Sequence, residues 1–139
     1  MAIANDRSTA ALRAYYNLAE LSYGRDRYAY AIELHGLALD LAGRIGSALW
    51  EQLIREAMPY PLFMAGRWDE ALERAGDVST WDWTGEMSGS LAVLPTICVN
   101  RGLEEGLVKM AELSSQYEGS TDVQRAGGRA IVMAVIDAS

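Results

Sequence analysis

The chain has 139 residues, half of them hydrophobic and 22% charged, which suits one globular domain with a sizeable core. It carries 12 Lys and Arg against 19 Asp and Glu, a formal net charge of −7, so direct binding to a nucleic-acid backbone is not expected. The single cysteine, Cys98, excludes an internal disulfide. The sequence shows no signal-peptide pattern and no apolar run of the roughly 20 residues that span a bilayer. We therefore expect a cytoplasmic chain that does not enter membranes.

Apolar residues recur at three- and four-residue steps along most of the sequence, which is typical of helices. Ser8 and Ser47 are candidate N-caps, Gly46 and Gly66 are candidate stops, and Thr121 with Gln124 has capping-box spacing. The predicted helices cover residues 10–23, 28–44, 47–65, 68 onward, 87–100, 103–117 and 122–139, with a turn-rich connection at 76–89.

Two features complicate this prediction. Pro59 and Pro61 fall inside the third predicted helix and Pro95 inside the fifth, where a proline costs about 3 kcal/mol or more, so kinks or early breaks are expected. The last segment, "AIVMAVI", is rich in β-branched residues, which makes a strand the competing interpretation. Helix is favoured there because nothing else in the chain offers a partner strand.

The sequence contains an internal repeat. The segments "DRYAYAIEL" (26–34), "GRWDEALER" (66–74) and "RGLEEGLVK" (101–109) each place a bulky residue three positions before a small one, followed by a large aliphatic residue. The small residues, Ala31, Ala71 and Gly106, are 40 and then 35 positions apart. Each segment is predicted to open the second helix of a helix–turn–helix pair.

These segments resemble the tetratricopeptide repeat, whose second helix opens with Gly-x-Tyr-x-x-Ala-Leu. "YYNLAELSYGRDRYAYAIELHGLALDLA" fits over its full length and "GRWDEAL" at every place, whereas Met58-Pro59, Val93-Leu94 and Gly106 depart from the pattern. The resemblance implies a single all-α domain over residues 1–139, folded as a right-handed superhelix of antiparallel helix pairs. About 3.5 repeats are implied, at 8–45, 47–80 and 86–117, with a half repeat at 121–139.

Longer phrases resemble a narrower group. "ALDLAGRIGSALWEQ", "GRWDEALERA" and "STDVQRAGGRAIVMAVIDA" are similar to the helical-repeat regions of large bacterial signal-transducing ATPases, which carry adenylate-cyclase-like or LuxR-type helix-turn-helix output domains. This resemblance implies a fragment of a larger signalling or transcription-regulatory protein. It also implies a protein or peptide partner, which includes other domains of the same polypeptide.

The tetratricopeptide register predicts which side chains line the concave groove of the superhelix and bind a partner peptide. The alternative interpretation is that the aromatic residues of this set only pack between repeats. A second candidate is the pair Trp81 and Trp83, either a contact surface or a plug over helix ends; the plug is favoured because exposed tryptophans are uncommon. The predicted groove residues are Arg13, Tyr16, Glu20, Tyr23, Leu53, Glu56, Tyr60 and Phe63.

The residues do not favour an enzyme. His35 is the single histidine, without acids or cysteines at metal-ligand spacing, and Cys98 lies in an apolar stretch in another repeat. The glycine-containing segments lack a phosphate-binding ending, so no catalytic residue, metal or cofactor is expected. The predicted function is a non-enzymatic interaction or regulatory scaffold. The alternatives are a small-molecule effector pocket lined by Tyr16, Tyr60 and Phe63, and self-association through the apolar C-terminal helix.

Overall fold

The computed structural model describes the backbone of residues 2–81 and 88–139 and the side chains of residues 6–81 and 93–139. Within these residues the chain is all-helical and contains no β-strand, so the predicted all-α class is confirmed and the strand interpretation of the last segment is wrong. The α-helices are α1 (Ala2–Tyr23), α2 (Tyr28–Ile45), α3 (Ala48–Ala57), α4 (Pro59–Met64), α5 (Trp68–Ala75), α6 (Ser88–Arg101), α7 (Glu104–Ser115) and α8 (Val123–Asp137), with a short 3-10 turn at Val78–Thr80.

Helices that follow one another in sequence pack together. Helix α1 packs on α2, α2 on α3 and α4, α4 on α5 and α6, and α6 on α7 and α8. One apolar core lies among the first helices around Leu12, Ile54 and Leu62, and a second lies around Cys98 and Met110. Among the described helices, none is both long and apolar enough to cross a bilayer.

The same turn connects helices at four places. One lies between α2 and α3, where Gly46 has φ 69° and the Ser47 N–H donates to the Ala42 carbonyl at 3.0 Å, and the other three follow α1, α4 and α6. A residue with positive φ ends the first helix: Asp26 at 54°, Gly66 at 77° and Gly102 at 67°. Positive φ suits glycine and is tolerated by aspartate, which explains these residue types. In each turn the next residue donates its N–H to the carbonyl five residues earlier, and these bonds are Arg27 to Ser22 (3.1 Å), Arg67 to Leu62 (2.8 Å) and Leu103 to Cys98 (2.9 Å).

Two predicted helix starts are wrong. Helix α1 begins at Ala2, so Ser8 lies inside it and is not its N-cap; no glycine or proline interrupts the sequence before Gly24. At α8 the cap is not Thr121: Asp122 Oδ1 accepts from the backbone N–H of Gln124 (3.0 Å) and Arg125 (3.1 Å). A carboxylate at a helix N-terminus also benefits from the helix dipole, which explains why Asp122 is the cap.

Several other predicted helix boundaries are confirmed. Ser47 caps α3 by accepting from Trp50 N–H at 3.4 Å, and Gly46 ends α2 in the left-handed conformation, as predicted. The expected break at the first prolines is confirmed, because α3 ends at Ala57 and α4 begins with Pro59. At Pro95 there is no break: α6 continues to Arg101. Residues 82–87 of the predicted connection lie outside the described residues.

Candidate functional site

Aromatic side chains from the first four helices form one cluster, called here the aromatic cluster. The Tyr16 ring lies 5.7 Å from the His35 ring and 6.0 Å from the Trp50 ring, measured between centroids. The Tyr23 ring lies 5.2 Å from that of Tyr60. The predicted groove residues Tyr16, Tyr23 and Tyr60 are therefore brought together, each half-buried against a ring from another helix. The cluster consists of Tyr16, Tyr23, Tyr28, His35, Trp50 and Tyr60.

His35 is the fully buried member of this cluster. Its Nε2 lies 2.7 Å from Tyr23 Oη, whereas its Nδ1 has no hydrogen-bond partner among the described residues. Burial lowers the pKa of His35 to about 4, so the ring is neutral at physiological pH. Burial, and then the nearby Glu20 carboxylate, raise the pKa of Tyr23 far above its ordinary value. Both groups therefore keep one protonation state near neutral pH.

Glu20 lies beside Tyr23 of the aromatic cluster, and the other predicted groove residues lie elsewhere. Arg13 and Glu20 are exposed on α1, and Leu53 is half-buried on α3. Phe63 stacks on Trp68 with ring centroids 4.9 Å apart and an angle of 15°, and Trp68 Nε1–H donates to the Phe63 carbonyl at 3.2 Å. Phe63 therefore packs α4 against α5 and is not part of the aromatic cluster.

A cavity of about 440 Å³ lies where α3, the start of α4, the C-terminal end of α5, the 3-10 turn and α6 meet, and it is called here the α3–α6 cavity. Its apolar part is formed by the buried side chains of Pro59, Trp81 and Leu94. Trp81 is held in place because its indole N–H donates to the Gly76 carbonyl at 3.1 Å. The residues around the cavity are Ala48, Glu51, Gln52, Arg55, Glu56, Pro59, Arg74, Ala75, Gly76, Thr80, Trp81 and Leu94.

Charged side chains of both signs surround this apolar floor. Arg55 and Arg74 are exposed, and among the described side chains neither forms an ion pair within 4.0 Å. The Glu56 carboxylate accepts a hydrogen bond from Gln52 Nε2 at 2.9 Å. Glu51 is half-buried, and its carboxylate lies against Gly43 of α2. The positive groups are thus the more accessible ones at the cavity.

Sequence reasoning found only part of this cavity. Glu56 is the one predicted groove residue that lines it; Tyr16, Tyr60 and Phe63, expected around an effector pocket, do not. Trp81 is 6% exposed, as the plug interpretation predicts, but it also forms the cavity floor; Trp83 lies outside the described residues. Arg74 lies in the last turn of α5, shortly before the 3-10 turn, and the helical periodicity carried no signal for its place at the cavity.

The cavity can hold apolar groups on its floor and charged groups at its mouth. Within the described side chains, no group of three or more histidine, cysteine or acidic residues could hold a metal ion. The chain matches no protein-family model, no curated protein and no solved structure, so its function has to be inferred from this geometry.

Proposed function

We propose that this chain is a non-enzymatic helical-repeat module that binds a segment of a partner protein in the α3–α6 cavity. The observation that carries the proposal is the cavity itself: about 440 Å³ with a buried apolar floor and a charged mouth. Binding pockets in proteins have this size and this division of apolar and polar lining. Because four helices and a hydrogen-bonded turn supply the lining, the surface is formed before a partner arrives.

A tetratricopeptide-like superhelix of about 3.5 repeats is the architecture in this proposal. It is supported by the packing of each helix on its neighbours in sequence, since solenoid repeats contact only neighbouring repeats. It is also supported by the recurrence of one turn geometry at Asp26, Gly66 and Gly102. In this proposal α1, α3 with α4, and α6 are the first helices of successive pairs, and the cavity lies between the second and third pairs.

The setting in this proposal follows from the sequence resemblance. We take the chain to be a cytoplasmic segment of a bacterial signalling or transcription-regulatory protein, whose partner is either a separate protein or another domain of the same polypeptide. The cavity volume favours a second candidate, a small-molecule effector, because it falls within the range of about 300–1,000 Å³ typical of ligand pockets. The exposed side chains around its mouth, such as Arg55 and Arg74, favour a polypeptide.

The proposal is tested by selecting binding peptides from a displayed random library and then blocking the cavity. Ala48 is exposed at the cavity, so Ala48→Trp places an indole across it with little effect on folding. Ala29 is exposed on α2 away from the cavity, and Ala29→Trp is the matched control. We expect selected peptides to bind Ala48→Trp at least about tenfold more weakly and Ala29→Trp as tightly as the original chain.

Two results would contradict the proposal. One is equal binding of the selected peptides to both variants. The other is loss of binding only when Tyr16 or Phe63 is changed to alanine, which would move the site to the predicted groove. If no peptide is selected but a metabolite raises the melting temperature of the original chain and not of Ala48→Trp, the small-molecule candidate replaces it.

A further inference from the structure

Two exposed arginines, Arg55 and Arg74, line the α3–α6 cavity together with the half-buried acids Glu51 and Glu56. The charge of Arg74 also lowers the pKa of Glu70, one turn earlier in α5. Arg55 comes from the C-terminal half of α3 and Arg74 from the last turn of α5, so two helices direct positive charge to one mouth. Among the described side chains, neither arginine has an ion pair within 4.0 Å. This contrasts with Arg67, which forms a 2.6 Å ion pair with Glu70 in the same helix region.

The two acidic side chains at the cavity, Glu51 and Glu56, have different surroundings. Glu56 accepts the Gln52 amide at 2.9 Å, and the half-buried Glu51 carboxylate lies against α2. The arginines are therefore the charged groups that an incoming segment meets first. These exposed arginines occur in a chain with a formal net charge of −7, where surface composition alone would disfavour an anionic partner.

An apolar surface lies directly beside these arginines. Pro59, Trp81 and Leu94 are all nearly or fully buried in the cavity floor. An apolar side chain that packs on this floor is itself removed from water, while a carboxylate beside it can accept charge-assisted hydrogen bonds from guanidinium groups. Guanidinium groups are suited to planar carboxylates, which they can grip with two parallel bonds.

We propose that the α3–α6 cavity recognises a polypeptide segment in which an acidic side chain lies next to an apolar one. The apolar side chain occupies the floor at Trp81, and the carboxylate binds Arg55 and Arg74. This inference rests on the proposed function, because it specifies the chemistry of the segment that the module binds. It concerns an internal aspartate or glutamate, so it does not require a free C-terminus.

The test uses a hexapeptide of alanines that carries phenylalanine followed by glutamate and is acetylated and amidated to remove terminal charges. Matched peptides replace the glutamate with glutamine or lysine. Binding is measured from the NMR shift of the Trp81 indole N–H. We expect the glutamate peptide to bind about tenfold more tightly than the glutamine peptide, and the lysine peptide to bind least.

Charge variants separate this inference from the proposed function. Arg55→Gln and Arg74→Gln should each reduce the preference for the glutamate peptide over the glutamine peptide to about threefold or less. Arg25→Gln changes the net charge equally at an exposed arginine outside the cavity and should leave the preference intact.

Equal binding of glutamate and glutamine peptides, or a preference that survives both arginine substitutions, overturns the acidic-segment inference alone. If none of the three peptides shifts Trp81 while library-selected peptides do, the inference is likewise overturned and the proposed function stands. If the selected peptides also leave Trp81 unchanged, the proposed function itself fails.

Discussion

Gly106 lies in α7, where the helix packs closely against Cys98 of α6 and against Trp81. A Cβ atom at this position would lie 2.5 Å from Cys98 Sγ and 3.4 Å from the nearest ring carbon of Trp81. Cys98 is fully buried and Trp81 is 6% exposed, so neither side chain can move aside without displacing other core atoms. The similar segments of this chain have Ala31 and Ala71 at the matching place, and the glycine at 106 is explained by the sulfur and indole packed against it.

We predict that Gly106→Ala destabilises the fold despite the better helix propensity of alanine. Propensity alone would stabilise the variant by up to about 1 kcal/mol. Inserting a methyl group into a well-packed core costs about 1–3 kcal/mol, and the 2.5 Å approach to Cys98 puts this site toward the upper end. We expect a net loss of about 1–2 kcal/mol in the free energy of unfolding.

A double-mutant cycle with Cys98→Ala tests the cause. The single Cys98→Ala change loses a buried sulfur, at a cost of about 1 kcal/mol. It also removes the atom that a new Cβ would meet, so adding Gly106→Ala to it should cost little or stabilise. We expect a coupling energy of about 1–2 kcal/mol, measured by urea unfolding followed by circular dichroism.

The reasoning is refuted if Gly106→Ala is neutral or stabilising in the original chain. It is also refuted if the two changes are additive, because additivity would mean that the sulfur is not what excludes the methyl group. Cys98→Ser is a useful third variant, since it keeps an atom of smaller size at the Sγ position and should relieve the clash only in part.

Three further predictions concern stability. Burial lowers the pKa of His35 from 6.5 to about 4, so unfolding takes up a proton between these pH values. The free energy of unfolding should be constant above pH 6.5 and fall by up to about 3 kcal/mol as the pH approaches 4. Unfolding curves of the original chain and of His35→Gln should therefore diverge in this pH range, and parallel curves would contradict the assignment. Asp122→Ala should cost about 1 kcal/mol and Thr121→Ala almost nothing in urea unfolding; a reversed order would restore Thr121 as the cap. Gly36→Ala, in open space inside α2, should stabilise by about 0.5–1 kcal/mol, whereas Gly66→Ala, at φ 77°, should destabilise by about 1 kcal/mol; equal melting temperatures would argue against the positive φ at Gly66.

Helical periodicity was sufficient to predict the all-α class and most helix positions. Glycine stops such as Gly46 and the Ser47 cap depend on neighbouring residues alone, so the sequence carries their signal directly. The helix start at Ala2 and the Asp122 cap were missed for different reasons: the first residues form helix without a punctuating residue, and two adjacent cap candidates compete at 121 and 122.

The candidate site was harder to predict because it depends on contacts distant in sequence. Register placed Tyr16, Tyr23 and Tyr60 on first-helix faces, but only the packed helices reveal that these rings contact one another and His35. The cavity joins Arg55 of α3, Arg74 of α5 and Leu94 of α6, which no local pattern connects. Helical periodicity likewise gives no information on the conformation of the connection that places Trp81 in the floor of the α3–α6 cavity.

The most direct test of the central proposal uses three tryptophans at three different places. Trp50 reports on the aromatic cluster, Trp68 on the stacked Phe63, and Trp81 on the floor of the α3–α6 cavity. Titrating a selected peptide into the ¹⁵N-labelled chain should shift the indole signal of Trp81 while those of Trp50 and Trp68 stay in place. A shift confined to Trp50 or Trp68, with Trp81 unchanged at saturation, would contradict binding in the cavity.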